Sequence, residues 1–171
     1  MNPGVTLDQI MVQRGEKRAE IVAVDEPTVK LVIFELSGTP FAFYGENVRE
    51  ILARARVFFV PGSPASMEGV VNVRGDIETV IRPQSLLRLP ESDPGPSSTI
   101  LLAKGDGVTS GIRVDRVLDV LDIPRSAILP IPSTLPAHWN TLALGVATLG
   151  GQAVTLLDVN TLLGDYARGL G

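Results

Sequence analysis

Leu31-Val32-Ile33-Phe34, Ser37-Gly38-Thr39-Pro40 and Phe41-Ala42-Phe43-Tyr44 follow one another as two short apolar runs on either side of a glycine and proline turn. Each run is too short for a helix and rich in β-branched and aromatic residues, so the stretch reads as a β-hairpin. The pattern returns later in the chain. Placing Val48 against Val117 and continuing in step pairs Leu31 with Ile100, Ile33 with Leu102, Gly38 with Gly107, Phe43 with Ile112, Glu46 with Asp115, Glu50 with Asp119 and Leu52 with Leu121. A second alignment, Gly69 against Gly145, pairs Val70 with Val146, Gly75 with Gly151, Thr79 with Thr155, Leu86 with Leu162 and Leu87 with Leu163. The two alignments differ by an insertion in the second copy between Leu121 and Gly145, where Pro124, Pro130, Pro132 and Pro136 mark a long connection and not a strand.

Each copy supplies four or five short strands, a number suited to a small barrel that hides its edges. The expected fold is mainly β: two small five-stranded barrel lobes packed together, with short helices. The expected limits are a helical extension or tail over 1–28 and a domain over 29–168. Within it, a first lobe covers about 29–90, a proline- and serine-rich loop 90–98, and a second lobe about 99–168; strand exchange between the lobes is left open. In the extension, Leu7, Ile10, Met11, Ile21 and Val24 fall mostly at helical spacing, with Thr6 and Gln9 placed as a capping box.

Composition narrows the function classes. With 171 residues, 44% of them apolar, the chain can bury one sizeable core. Its net charge of −4 offers no positive field to hold a polyanion, so a nucleic-acid partner is not expected. The chain has no cysteine, which fits a reducing compartment and removes thiolate catalysis and Cys-ligated zinc. With neither a long apolar run nor a signal-like N-terminus, a cytoplasmic protein with no direct membrane insertion is expected.

Candidate chemistry is sparse. His138, the one histidine, sits in the proline-rich connection and reads as a surface or packing residue. No metal or cofactor site and no catalytic residue is assigned. Gly105-Asp106-Gly107 with Gly111 resembles a phosphate loop, but the following Ile112-Arg113-Val114 reads as strand where such a loop needs a helix, leaving a hairpin turn. Glu46 with Glu50 and Asp115 with Asp119 are spaced for a solvated helical turn. Arg74, beside Gly75 at a strand end, could equally be a solvated hairpin arginine or a guanidinium that holds a carboxylate. Val48, Glu50 and Ile51 form an apolar and acidic patch in which Glu50 is the residue expected to be exposed.

In series, Val48-Arg49-Glu50-Ile51-Leu52, Val60-Pro61-Gly62, Gly69-Val70-Val71-Asn72-Val73-Arg74-Gly75 and Gly111-Ile112-Arg113-Val114-Asp115-Arg116-Val117-Leu118-Asp119-Val120-Leu121 are similar to the successive signatures of CheW-like domains. The resemblance covers about Leu31 to Leu163. It implies two SH3-like barrel lobes around a shared core, no catalysis, and an adaptor that couples a chemoreceptor's cytoplasmic tip to the CheW-like regulatory domain of a histidine kinase. Localisation would be cytoplasmic, with recruitment to membrane-bound receptor arrays. The resemblance carries the receptor-facing groove onto Val48, Glu50, Arg74 and Val120: the valines as an apolar floor, and the charged pair fixing the register of an amphipathic helix. The chain departs from the family where a Pro-x-x-Asp strand end is usual, with Thr79 for the proline and Arg82 for the aspartate, whereas the second copy keeps the acid as Asp158. A scaffold of a pilus-motility or biofilm array is the alternative. From other classes, a small-ligand-binding or hydrolytic double barrel would reveal itself by a ligand-induced rise in melting temperature, and a purely structural oligomer is the third reading.

Overall fold

A computed structural model describes residues 26–91 and 93–168, and the helix expected between Thr6 and Val24 lies outside them. Strand β1 (Thr28–Leu36) and β2 (Thr39–Tyr44) form the first hairpin, followed by β3 (Val48–Leu52), the short β4 (Val57–Phe58) and the hairpin β5 (Met67–Val73) and β6 (Asp76–Ile81). A one-turn helix α1 (Gln84–Leu87) closes the first copy. The second copy contributes β7 (Thr99–Gly105), β8 (Val108–Val114), β9 (Arg116–Pro124), β10 (Ala143–Leu149), β11 (Gln152–Leu157) and helix α2 (Val159–Ala167).

The strands form a five-stranded sheet, β10-β11-β2-β1-β9, and a six-stranded sheet, β3-β7-β8-β6-β5-β4. Each sheet takes its leading hairpin from one copy and its other strands from the other copy. The lobes are therefore not the successive segments 29–90 and 99–168; the copies exchange strands. Among the described residues the ladders remain open, so each lobe is a curled SH3-like sheet and not a closed barrel.

The repeat extends to the register. Val48 pairs with Ala103 and Glu50 with Leu102 across a bulge, and their counterparts Val117 and Asp119 pair with Phe34 and Ile33 across a bulge at the same place. Val80 lies beside Gly111 in a parallel pair, and Leu156 beside Ala42 in the equivalent one. All four tight hairpins turn on a left-handed residue followed by glycine: Ser37-Gly38, Arg74-Gly75, Asp106-Gly107 and Gly150-Gly151. That is the two-residue turn whose twist matches the flanking strands. Close backbone approach also recurs, since a Cβ on Gly69 would lie 2.2 Å from the Phe58 carbonyl oxygen and one on Gly145 would lie 2.7 Å from that of Leu129.

Three apolar clusters explain why the strands read as continuous hydrophobic runs. Leu31, Ile33, Leu121, Ala147 and Leu156 fill the first lobe, and Val71, Val73, Val80, Ile100 and Leu102 fill the second. The alternate residues of the same strands, Val32, Phe34, Phe41 and Phe43 from one sheet and Ile81, Leu101, Ile112 and Val114 from the other, meet in a shared core with Trp139 and the helices' Leu87, Leu162 and Leu163. Sheets buried on both faces need no polar alternation.

The two helices differ because their first residues do. The Asp158 side chain accepts from the Asn160 backbone N–H at 3.0 Å and from the Thr161 hydroxyl at 2.8 Å, capping α2. Arg82, at the equivalent position, cannot cap; Pro83 precedes α1, and the helix stops after one turn at Arg88, which is left-handed at φ 52°. Asp158→Ala is expected to cost about 1 kcal/mol, read as a shift of the urea midpoint with no change in slope.

Candidate functional site

Edge strand β3 holds Glu50 with its side chain half-buried. The β5–β6 turn brings Arg74 against it: Nη1 donates to Glu50 Oε1 at 2.8 Å and Nη2 to Oε2 at 2.7 Å. This planar two-point contact fixes both side chains. Together with Arg49, Asp76, Glu78 and Thr109 the pair lines a polar cleft of about 230 Å³. The Arg74 hydrogen bonds hold the Glu50 carboxyl below the ordinary glutamate range, and the Glu50 bonds push the arginine further up. Both groups are charged throughout the neutral range.

The second copy supplies an internal control. Asp119 occupies the place of Glu50, but Gly150 occupies that of Arg74. Arg74 sits at φ 51° and Gly150 at φ 57°, a region that favours glycine and costs a branched or bulky side chain on the order of 1–2 kcal/mol. An arginine held in this conformation, where the repeat elsewhere uses Ser, Asp or Gly, points to a role for the guanidinium beyond turning the chain. Both features of Arg74 open in the sequence meet here: it holds a carboxylate of its own chain, and its side chain is a 73% exposed hairpin arginine.

The two valines are placed differently. Val48 is partly buried against the shared core, as is its counterpart Val117. Val120 is 39% exposed on β9, the edge of the other sheet, and its counterpart Ile51 is 42% exposed on β3. Ile51 is thus a surface residue, contrary to the expectation that Glu50 alone of its patch would be exposed. Glu50 and Asp119 lie in strands and not in helical turns: the single turn that holds Glu46 runs over Gly45–Asn47, and Val48 already pairs with β7. Further exposed apolar side chains, also unforeseen, are Phe58 and Phe59 at the β4 edge and Ile77 on β6, at 49%, 74% and 63%, with the Arg56 guanidinium 5.0 Å from the Phe58 ring centre.

A further charged cluster was missed from sequence. Arg113 donates to Glu68 through Nε at 2.9 Å and Nη2 at 2.6 Å, and Arg82 Nε lies 3.4 Å from the same carboxylate. Arg82 therefore belongs to a largely buried ion cluster. The usable signal was Glu68 standing in the repeat where the second copy has Leu144. His138 Nε2 lies 3.0 Å from the Leu87 carbonyl oxygen, which also accepts from Trp139 Nε1 at 2.8 Å. This is the packing role expected of the histidine.

Residues 30–167 match the CheW-like domain family. The chain is 26% identical over 136 residues to the probable chemotaxis protein CheW of Rhizobium etli, covering 80% of this chain and 88% of that protein. It is 28% identical over 145 residues to protein FrzA of Myxococcus xanthus, covering 84% and 90%. The crystal structure of the scaffolding protein TtCheW from Thermoanaerobacter tengcongensis superposes with a TM-score of 0.72 at 23% identity, over 80% of this chain and 92% of that one.

Proposed function

The chain belongs to the CheW-like domain family, whose members are non-catalytic scaffolds of chemotaxis-type arrays, and we propose that it couples a chemoreceptor's cytoplasmic tip to the CheW-like regulatory domain of a histidine kinase. The observation that carries this reading is the Glu50–Arg74 clamp, present in one copy of the repeat and replaced by Asp119 and Gly150 in the other. A preorganised, solvent-accessible ion pair on an edge strand, next to the exposed Ile51, suits an amphipathic receptor helix that needs apolar contact and a fixed register. The exposed Phe58 and Phe59 at the β4 edge, the edge of the sheet opposite β3, suit the kinase domain. No helix among the described residues is long and apolar enough to cross a membrane, so this reading has the chain reach an array through its partners. A scaffold of a pilus-motility or biofilm signalling array is the second form of the same function.

Arg74→Glu places two carboxylates where the clamp was, and receptor-fragment binding is expected to fall about tenfold or more. The melting temperature should move little, since an exposed pair contributes weakly to stability. Isothermal titration against a purified receptor signalling fragment and against the kinase regulatory domain decides the matter. Retained kinase binding with lost receptor binding supports the assignment, whereas unchanged receptor binding removes the clamp from the interface.

A further inference from the structure

The cleft beside the clamp contains a carboxylate that the clamp does not use. Glu78 lines it together with Glu50, Arg74, Asp76, Val73 and Leu102. On β6 its side chain shares the face of Val80, two residues on, and across the hairpin it opposes Val71; both valines belong to the apolar cluster of the second lobe. Glu78 is therefore turned inward and half-buried beside that cluster. Its counterpart in the second copy is Val154, 3% exposed, the residue type that such a position suits. Inward charges can guard an edge strand against pairing, but β6 lies between β8 and β5 and has no free edge. Nor is the charge answered within the chain. Both Nη groups of Arg74 are taken by Glu50, and among the described residues no cation forms an ion pair with Glu78. A half-buried carboxylate without a partner costs free energy, and a cation brought to it from outside offsets that cost.

The cleft limits what that cation is. Its volume of about 230 Å³ is below the roughly 300–1,000 Å³ of small-molecule sites and suits a single side chain. Its carboxylates outnumber its guanidiniums three to two, counting Glu50, Asp76 and Glu78 against Arg49 and Arg74. Val73 and Leu102, 8% and 6% exposed, add aliphatic surface to its walls. Lysine and arginine combine an apolar stem for such walls with a cationic head for the carboxylate. We infer that Glu78 receives a lysine or arginine side chain of the receptor helix, inserted beside the Glu50–Arg74 clamp, and so selects which receptor tip binds. The inference rests on the receptor-coupling reading, since the cleft is the one assigned to the receptor.

Titration against a purified receptor signalling fragment tests this with two variants: Glu78→Gln keeps the shape and removes the charge, and Glu78→Val installs the residue of the other copy. Both should bind about tenfold or more weakly. Glu91→Gln, which removes an equal charge from an exposed residue outside the cleft, should bind within about twofold of wild type. Glu78→Lys should abolish binding, and replacing the basic residues of the fragment's tip by glutamate, one at a time, should restore it at one position. Wild-type affinity in Glu78→Gln, an equal loss in Glu91→Gln, or rescue at no position overturns the inference. Glu78→Val should melt no lower than wild type; a fall of more than about 5 °C would make the carboxylate a part of the fold and overturn it as well. Failure of the wild-type chain itself to bind any receptor fragment would instead remove the coupling reading, and this inference with it.

Discussion

Phe41→Ala is expected to lower unfolding stability by about 3–5 kcal/mol, and the weakened protein should still unfold in one transition. Phe41 is fully buried, with its ring centre 6.2 Å from that of Phe34 and 5.2 Å from that of Trp139. These rings lie in the core shared by both sheets, so the cavity left by the truncation is lined by residues of both lobes. Strand exchange reinforces this coupling, because neither sheet can be completed by one half of the chain. Urea unfolding followed by Trp139 fluorescence and by far-ultraviolet dichroism should therefore give coincident curves. Separate transitions would show that each lobe is held by its own cluster and that the shared core couples them only weakly.

The second large effect is expected at Glu68. Removing its carboxylate in Glu68→Ala strands the Arg113 guanidinium, whose side chain is only 12% exposed, beside that of Arg82 at 25%. An uncompensated, largely buried cation pair is costly, and a loss of about 2–3 kcal/mol is expected after allowing for the partial exposure of Arg82. Arg82→Gln should cost much less, because both Glu68 oxygens remain bound by Arg113. Titration gives an independent readout. Burial alone would raise the Glu68 carboxyl, but the hydrogen bonds and charge of Arg113, with the charge of Arg82, outweigh it and hold the group below the ordinary value of 4.5. A carboxyl depressed in the folded state contributes stability that is complete above the unfolded value and is lost as pH falls through the folded one. The stability difference between wild type and Glu68→Gln should therefore be level near neutral pH and shrink below about pH 4.5; a difference that stays constant into acid would contradict the ion cluster.

Local chemistry made much of this fold readable from the chain. The apolar runs and X-Gly turns gave the hairpins, and the repeat carried enough information that both alignments reappear as matching strand registers and bulges. Strand exchange was not readable for a physical reason: β3 has the same half-buried pattern whether its partner is β2 of its own copy or β7 of the other, so the choice is made by the shared core. Glu50 and Asp119 were misplaced in helical turns because acidic residues four apart satisfy a helical spacing even when a bulge in a strand separates them. Within the candidate site, the Glu50–Arg74 contact was foreseeable as a guanidinium beside a glycine in search of a carboxylate. The ion cluster of Glu68, Arg82 and Arg113 was not, since Arg113 reaches the Glu68 and Arg82 of the β5–β6 hairpin only through the parallel β6–β8 pairing.

The same comparison explains Arg82 without recourse to a different partner. In the second copy Asp158 caps a nine-residue helix; in the first, the arginine gives up the cap and joins Glu68, and α1 is one turn long. A substitution that departs from the family's pattern is thus absorbed locally by a carboxylate already held by Arg113.

A bridging assay tests coupling most directly: a receptor signalling fragment is immobilised, the kinase regulatory domain is passed over it with and without this chain, and retention of the kinase domain is measured. The predicted result is retention only when the chain is present, and its loss with Arg74→Glu. Binding of one partner that excludes the other, or no retention with the wild-type chain, would contradict an adaptor with two separate surfaces.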